Sequence, residues 1–322
     1  MKAIVQSRYG GPDVFRLCDI PRPLPRQGEI LVRVHATSVT SSEANMRQGL
    51  PLYGRPILGL FRPRRPLLGL EFAGTVEQCG PDAQRFPVGT RVFGFTGFRC
   101  GAYAQFLVVS ENDSVEVMPK SASFEEAVAL VDGPTTALFF LHKARLRRGE
   151  RVLVNGASGS IGTAAVQLAA WMGAEVTAVC SAAKHEQVRA LGAHHVIDYN
   201  TEDFTLRHDA WDVVFDTVGK SSFCRCRHSL RAKGRYLSTV LGAKILLHVP
   251  LTALFCDKKA MFGMSVNKRT ELVQLRELVE ANLHAPVIDR VFDLEQMPEA
   301  HAYVDSGRKR GNVVVRVRQD PT

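Results

Sequence analysis

The run Val152-Leu153-Val154-Asn155-Gly156-Ala157-Ser158-Gly159-Ser160-Ile161-Gly162 carries the strongest chemical signal in the chain. Its glycines are spaced GxxGxxG. Glycine has no Cβ, so the backbone turns tightly there and a pyrophosphate can come close to the peptide groups. A helix opening near Ser158 aims its N–H groups and the positive end of its dipole at that anion. Gly156, Ser158, Gly159, Ser160, Ile161 and Gly162 are therefore expected to cradle a dinucleotide. The next apolar run ends Val179-Cys180-Ser181-Ala182-Ala183-Lys184, with no carboxylate at its tip to accept from a ribose 2′-hydroxyl. Ser181 offers a donor and Lys184 a cation to a 2′-phosphate, so NADP(H) is expected over NAD(H). Val218 and Gly219 close a further strand at the edge where such cofactors lie.

These residues need a scaffold of alternating strands and helices. Strand patterns cover Arg151 to Asn155, Glu175 to Cys180, His195 to Ile197, Asp212 to Asp216, Arg235 to Val240 and Ala260 to Val266. Helical patterns cover Ser158 to Met172 and Lys184 to Leu191. Such alternation predicts a parallel sheet covered on both faces. The first part reads differently. Short alternating runs at Ile30 to Val34, Phe72 to Glu77 and Arg91 to Phe95 are punctuated by glycine and proline, as in an open barrel or sandwich. Ser123 is a helix cap before Phe124-Glu125-Glu126. An amphipathic helix follows Thr270, and strands at Val287 to Phe292 and Val313 to Val317 return the chain to the first texture. Leu52 to Leu68, with its prolines and arginines, reads as a surface loop that shapes a site, and Leu241 to Cys256 as a second such loop. Tyr53, in the first, is a candidate donor to a substrate oxygen.

At 322 residues, with roughly 150 residues per domain, the chain predicts about two domains and a core that needs no staples. A hydrophobic fraction of 45% and a charged fraction of 23% exclude fibrous and wholly disordered classes. The net charge of +9 is spread along the chain, with no aromatic residues interleaved among the basic clusters. Solvated surface and an anionic cofactor account for it better than nucleic acid does. The most apolar stretch, Leu237 to Cys256, is broken by Lys244, His248 and Pro250, so no membrane span is expected. Seven scattered cysteines without paired CxxC motifs suit reduced thiols in the cytoplasm. Cys224 and Cys226 fall in a predicted helix, and the pair His194-His195 reads as structural.

The chain resembles the medium-chain dehydrogenase/reductase superfamily, and within it the zinc-free quinone oxidoreductase branch. The resemblance rests on Gly69-Leu70-Glu71-Phe72-Ala73-Gly74-Thr75-Val76, Gly89-Thr90-Arg91-Val92-Phe93, Leu191-Gly192-Ala193-His194-His195-Val196-Ile197-Asp198-Tyr199, Asp212-Val213-Val214-Phe215-Asp216-Thr217-Val218-Gly219 and Arg310-Gly311-Asn312-Val313-Val314-Val315, beside the glycine turn. It implies an α/β protein with a GroES-like β-rich catalytic domain over 1–124 and 267–322. It also implies a Rossmann doubly wound parallel-sheet domain over 125–266 that binds NADP(H), with the site in the cleft between the two. The positions that match the family's catalytic zinc ligands are Thr40, Leu70 and the region of Asp132-Gly133. A hydroxyl and an aliphatic chain cannot replace a thiolate and an imidazole, so no metal is expected. The resemblance places Thr40 and Asn45, from the run Val39 to Gly49, beside the nicotinamide together with Thr136. It places Tyr199 by the adenosine half, and Arg310 and Asn312 at the cofactor or the domain interface. It also implies a homodimer, for which the strand Ala260 to Val266 is a candidate pairing edge.

Without zinc nothing lowers an alcohol's pKa, whereas an electrophilic acceptor can still take a hydride. The expected activity is NADPH-dependent reduction of a quinone or an α,β-unsaturated carbonyl. Two alternatives stay open: a zinc-independent aldehyde or ketone reductase, and an NADPH-binding regulatory or RNA-binding protein with little turnover.

Overall fold

The structure, a computed structural model, describes residues 1–318. In chain order its strands and helices are β1 (Lys2–Gln6), β2 (Phe15–Asp19), β3 (Glu29–Val39), α1 (Ser41–Gln48), α2 (Arg55–Leu58), β4 (Glu71–Cys79), β5 (Arg91–Phe95), β6 (Phe106–Ser110), β7 (Ser114–Val117), α3 (Phe124–Ala129), α4 (Asp132–Lys143), β8 (Arg151–Asn155), α5 (Ser160–Trp171), β9 (Glu175–Cys180), α6 (His185–Ala190), β10 (His195–Asp198), β11 (Trp211–Asp216), α7 (Phe223–Cys226), β12 (Leu230–Ser238), α8 (Ala243–Phe255), β13 (Lys259–Phe262), α9 (Arg269–Glu280), β14 (Ile288–Asp293), α10 (Met297–Asp305) and β15 (Asn312–Arg316). They form two compact units, 1–132 with 266–322, and 133–265.

The first unit is built on a seven-stranded sheet ordered β14-β15-β3-β4-β5-β7, with β6 also paired to β3. Only β14 and β15 run parallel in it. Along β3 only Glu29, Arg33 and His35 are half-buried; Ile30 to Val32, Val34 and every residue from Ala36 to Val39 are buried. The α3 helix starts with a reciprocal cap: Ser123 Oγ accepts from the Glu126 N–H while the Glu126 carboxylate accepts from the Ser123 N–H. The amphipathic α9 buries Leu272, Leu275 and Leu278 along one stripe. The apolar core gathers Phe72, Phe86, Tyr103, Met297 and Val315.

The second unit holds a six-stranded, wholly parallel sheet ordered β10-β9-β8-β11-β12-β13. In chain order this is 3-2-1-4-5-6, so the strand order reverses between β8 and β11. Val152, Leu153 and Val154 are fully buried, as a central strand covered on both faces requires. Each contributes about 2 kcal/mol of apolar burial.

The α/β expectation with its GroES-like and Rossmann parts matches this architecture; several local readings need correction. Helix α5 opens at Ser160, not near Ser158, because Gly159 in extended conformation takes the cap position. The loop read at Leu52 to Leu68 contains the short helix α2. The segment read as a loop at Leu241 to Cys256 is mostly helix α8, which carries Pro250 inside it and buries Ile245 and Thr252. The last parallel strand stops at Phe262 instead of Val266. No helix among the described residues is long and apolar enough to cross a membrane.

Candidate functional site

Parallel strands deliver their carboxyl ends to one edge of the second unit's sheet. There β8 passes into the turn 156–159. Gly156 has φ +82°, and a Cβ on it would stand 2.5 Å from Val218 Cγ1, so both conformation and space demand glycine. A Cβ on Gly162 would overlap the Gly156 carbonyl oxygen, so α5 packs directly on the turn. The Gly156 and Ala157 N–H groups donate to the Val179 carbonyl at 3.1 Å, tying the turn to β9. As the cap of α5, Gly159 has no side chain to occupy the first-turn N–H groups. Ser158 and Ser160 are buried and Ile161 is half-buried. At Gly159 a Cβ would meet nothing nearer than the Gly156 carbonyl oxygen at 3.6 Å, and this open face of the turn together with the uncapped helix start fits a dinucleotide pyrophosphate.

At the end of β9, Ser181 precedes a single turn Ala182–Lys184 without capping it through its side chain. The Lys184 ammonium stands near the Cys180 thiol, where it partly offsets the burial that pushes this thiol up to about 11. Asp198, at the end of β10, accepts from the Asn200 N–H at 2.9 Å and from the Ala182 N–H. These bonds hold its carboxyl below the usual range and brace the Ser181–Lys184 turn. Tyr199 follows, with 61% of its surface exposed.

Asp216 organises the end of β11. Its Oδ1 accepts from Asn155 Nδ2 at 3.1 Å, Val218 N at 3.2 Å and Gly219 N at 3.0 Å. Its Oδ2 accepts from Ser221 N and the Tyr236 hydroxyl, both at 2.9 Å. Burial and this carboxylate push the Tyr236 hydroxyl far up, so it stays a donor. Beyond Gly219 opens a cavity of about 240 Å³ lined by Ser221, Phe223, Tyr236, Ser238, Ile245 and His248, among others.

The structure thus gathers Gly156, Ser158, Gly159, Ser160, Ile161, Gly162, Ser181, Lys184, Tyr199, Val218 and Gly219 at one edge. Thr136 lies in α4, half-buried. The remaining candidates belong to the first unit. Thr40 caps α1: its hydroxyl accepts from the Glu43 N–H at 3.2 Å, and Glu43 accepts from the Thr40 N–H at 2.8 Å. Asn45 is exposed on α1, and Tyr53 is 61% exposed in the turn Leu52–Gly54. The Arg310 N–H donates to Asp289 at 2.7 Å. The Asn312 carboxamide donates to the Val287 carbonyl at 3.0 Å.

Around Thr40 the first unit buries two carboxyls. Glu43 also accepts from the Leu70 N–H at 2.8 Å. Burial pushes Glu43 up to about 7, against the hydrogen bonds that favour its charge. Glu71 accepts from the Ser38 hydroxyl, while its Oε1 has no hydrogen-bond partner. Burial, then repulsion by Asp132 and Glu43, raises Glu71 well above the usual carboxylate range. Asp132 itself pairs with Lys268 at 3.2 Å. Among the described residues no group of three or more His, Cys, Asp or Glu side chains is arranged to hold a metal ion. At the positions that match the family's zinc ligands, the Thr40 hydroxyl is engaged as a cap and Leu70 has no donor atom. These residues do not fit the metal.

The sequence assigns no role to Asp216, Asp198 or Glu71, and it marks Glu43 only as the residue that stands where the family segment carries Asp. The one available signal was a carboxylate at the tip of an apolar run, as in Trp211-Asp212-Val213-Val214-Phe215-Asp216.

Comparison with known proteins agrees with this geometry. Residues 26–120 match the alcohol dehydrogenase GroES-like domain family, and residues 191–315 match the zinc-binding dehydrogenase family. The chain is 31% identical to the mitochondrial NAD(P)H oxidoreductase RTN4IP1 of Mus musculus, over 98% of this chain and 89% of that one. It is 29% identical to the chloroplastic quinone-oxidoreductase QR1 of Triphysaria versicolor, over 98% of each. The solved quinone oxidoreductase of Coxiella burnetii superposes with a TM-score of 0.89 at 29% identity, covering 99% of both chains.

Proposed function

The chain belongs to the medium-chain dehydrogenase/reductase superfamily, in its quinone oxidoreductase-like branch, and from that premise we propose an NADPH-dependent reductase of quinones or α,β-unsaturated carbonyls that works without zinc. The observation that carries this reading is the turn at Gly156, closed by Gly162 at the point where the strand order reverses. The bound nicotinamide supplies a hydride to the electrophilic carbon of the acceptor.

The chain's own residues bind and orient. The turn from Gly156 through Ile161 to Gly162 takes the pyrophosphate, and Ser181 and Lys184 take a 2′-phosphate. The tip of β9 carries Ser181 and Lys184 and no carboxylate, which supports NADPH over NADH. Tyr199 flanks the adenosine, and Val218 and Gly219 line the ribose side. Thr40, Asn45 and Thr136 are assigned to the nicotinamide side, Tyr53 to the acceptor oxygen, and Arg310 and Asn312 to cofactor contacts. Water supplies the last proton. A homodimer is proposed through β13, which has β12 on one side and no strand on the other among the described residues. Seven unpaired thiols suit a reducing compartment such as the cytoplasm.

The test is NADPH consumption by the purified protein against quinones, enones and saturated aldehydes and ketones, with metal content measured alongside. Rapid loss with quinones or enones in zinc-free protein is the expected result. Turnover of saturated carbonyls alone, stoichiometric zinc, or tight NADPH binding with no turnover across the panel overturns it.

A further inference from the structure

Cys224 Sγ lies 3.2 Å from His248 Nε2. The two residues come from the short helix α7 and from α8, and the Phe223 ring lies against the imidazole with centroids 5.7 Å apart. A thiol with an imidazole at hydrogen-bond distance can become a sulfur nucleophile when the ring takes the thiol proton. The neighbouring Arg225 does not compete for it, since its guanidinium pairs with Asp203 at 2.9 Å.

The other cysteines differ. Burial pushes the thiols of Cys100, Cys180 and Cys226 up to about 12, 11 and 11, so they stay protonated. Cys18, Cys79 and Cys256 are half-buried, and Cys224 alone is exposed among the described residues, which include all seven cysteines. His248 also lines the cavity of about 240 Å³ beyond Gly219. Phe223, Ile245 and Val240 give that cavity apolar walls, and Ser221 and Ser222 place hydroxyls beside them. Apolar walls with a few polar groups suit a small, flat carbonyl compound.

We propose that Cys224 and His248 are a nucleophile–base pair at the rim of this cavity, which captures α,β-unsaturated carbonyl compounds as covalent adducts. The thiol proton passes to His248 Nε2 as the sulfur forms a bond to the β-carbon. The carbon–carbon π pair moves toward the carbonyl, leaving an enolate. The imidazolium then returns the proton, and the product is a saturated thioether. Nothing is oxidised or reduced overall, and no cofactor takes part.

The experiment exposes the full-length protein to 2-cyclohexenone without any nicotinamide cofactor and follows each cysteine by peptide mass spectrometry. Cys224 is expected to alkylate about tenfold faster than Cys18, Cys79 or Cys256, and His248→Ala to slow Cys224 by about tenfold while leaving the other three unchanged. His248→Gln, which preserves more of the side-chain volume, replaces the alanine variant if that one loses its thermal transition. Equal rates at Cys224 and Cys18, or a Cys224 rate indifferent to His248, overturns the proposal. Because NADPH is absent, the result is separate from the reductase reading.

Discussion

Asn155 and Asp216 end adjacent parallel strands, and the Asn155 carboxamide donates to Asp216 Oδ1 at 3.1 Å across the point where strand order reverses. One side of this bond is the last residue before the glycine turn. The other is a fully buried carboxylate that also fixes the amides of Val218, Gly219 and Ser221. The two loops expected to flank a dinucleotide are therefore held by one side chain, so replacing it should alter stability and cofactor affinity together. Asp216→Ala leaves three backbone amides, the Asn155 carboxamide and the Tyr236 hydroxyl without their acceptor, and is expected to cost about 3 kcal/mol or more. Tyr236→Phe removes one donor and should cost about 1 kcal/mol. Urea midpoints measure both, and NADPH calorimetry should show a much larger affinity loss for the alanine variant. An Asp216→Ala protein with unchanged midpoint and affinity would contradict this role.

The glycine turn and its flanking elements were legible because their causes are local. A strand buried on both faces reads as an apolar run, and a phosphate turn needs glycine. Asp216 was not legible in this role, since its partners come from Asn155, from the segment 218–221 and from Tyr236, which are joined only by the sheet order. Glu43 and Glu71 were hidden in the same way: a carboxyl looks solvated until the fold buries it. The shift of the helix start from Ser158 to Ser160 follows from the conformation of Gly159, which residue type leaves open. Pro250 interrupts the pattern of α8 without ending the helix, which is why that segment reads as a loop.

Lys184 tests the cofactor preference. Its ammonium stands at the end of β9 beside Cys180, where a 2′-phosphate would gain from a positive charge and a 2′-hydroxyl would not. Lys184→Glu is expected to weaken NADPH by about tenfold or more, through loss of one favourable charge and gain of an unfavourable one. NADH affinity should change little. Titration calorimetry with both nucleotides decides the matter, and equal losses would count against a phosphate contact.

Arg47 and Asp305 join α1 to the end of α10 across 258 residues of sequence, with Nη2 to Oδ2 at 2.6 Å. The arginine side chain is fully buried, and its Nε donates to the Gly10 carbonyl at 3.1 Å. A buried guanidinium whose carboxylate is removed keeps its desolvation penalty without compensation. Asp305→Ala is accordingly expected to destabilise the first unit by about 3 kcal/mol. Asp305→Asn, which retains an acceptor but not the charge, should cost less. Urea unfolding of the three proteins tests the order, and equal midpoints for alanine and wild type would refute it.

His284 sets an acid limit on the first unit. It is 4% exposed, neither ring nitrogen has a hydrogen-bond partner, and burial pushes its pKa down to about 4. In the unfolded chain the imidazole takes a proton near its ordinary value of 6.5, whereas the folded state refuses it until about pH 4. The stability tied to the neutral ring is therefore complete above pH 6.5 and is lost as the pH falls from there toward 4, at about 1.4 kcal/mol per pH unit. His301, pushed down to about 3 by burial and then by Arg47, acts in the same direction. Glu43 and Glu71 act oppositely, because their raised pKa values let the folded state bind protons first. Subtracting a variant from the wild type isolates the histidine. His284→Leu removes the titrating group from this buried position, so its stability relative to the wild type should grow by about 2 kcal/mol between pH 7 and pH 5. Thermal midpoints of the two proteins across that range provide the measurement, and a difference independent of pH would show that His284 takes up its proton in the folded state as readily as in the unfolded one.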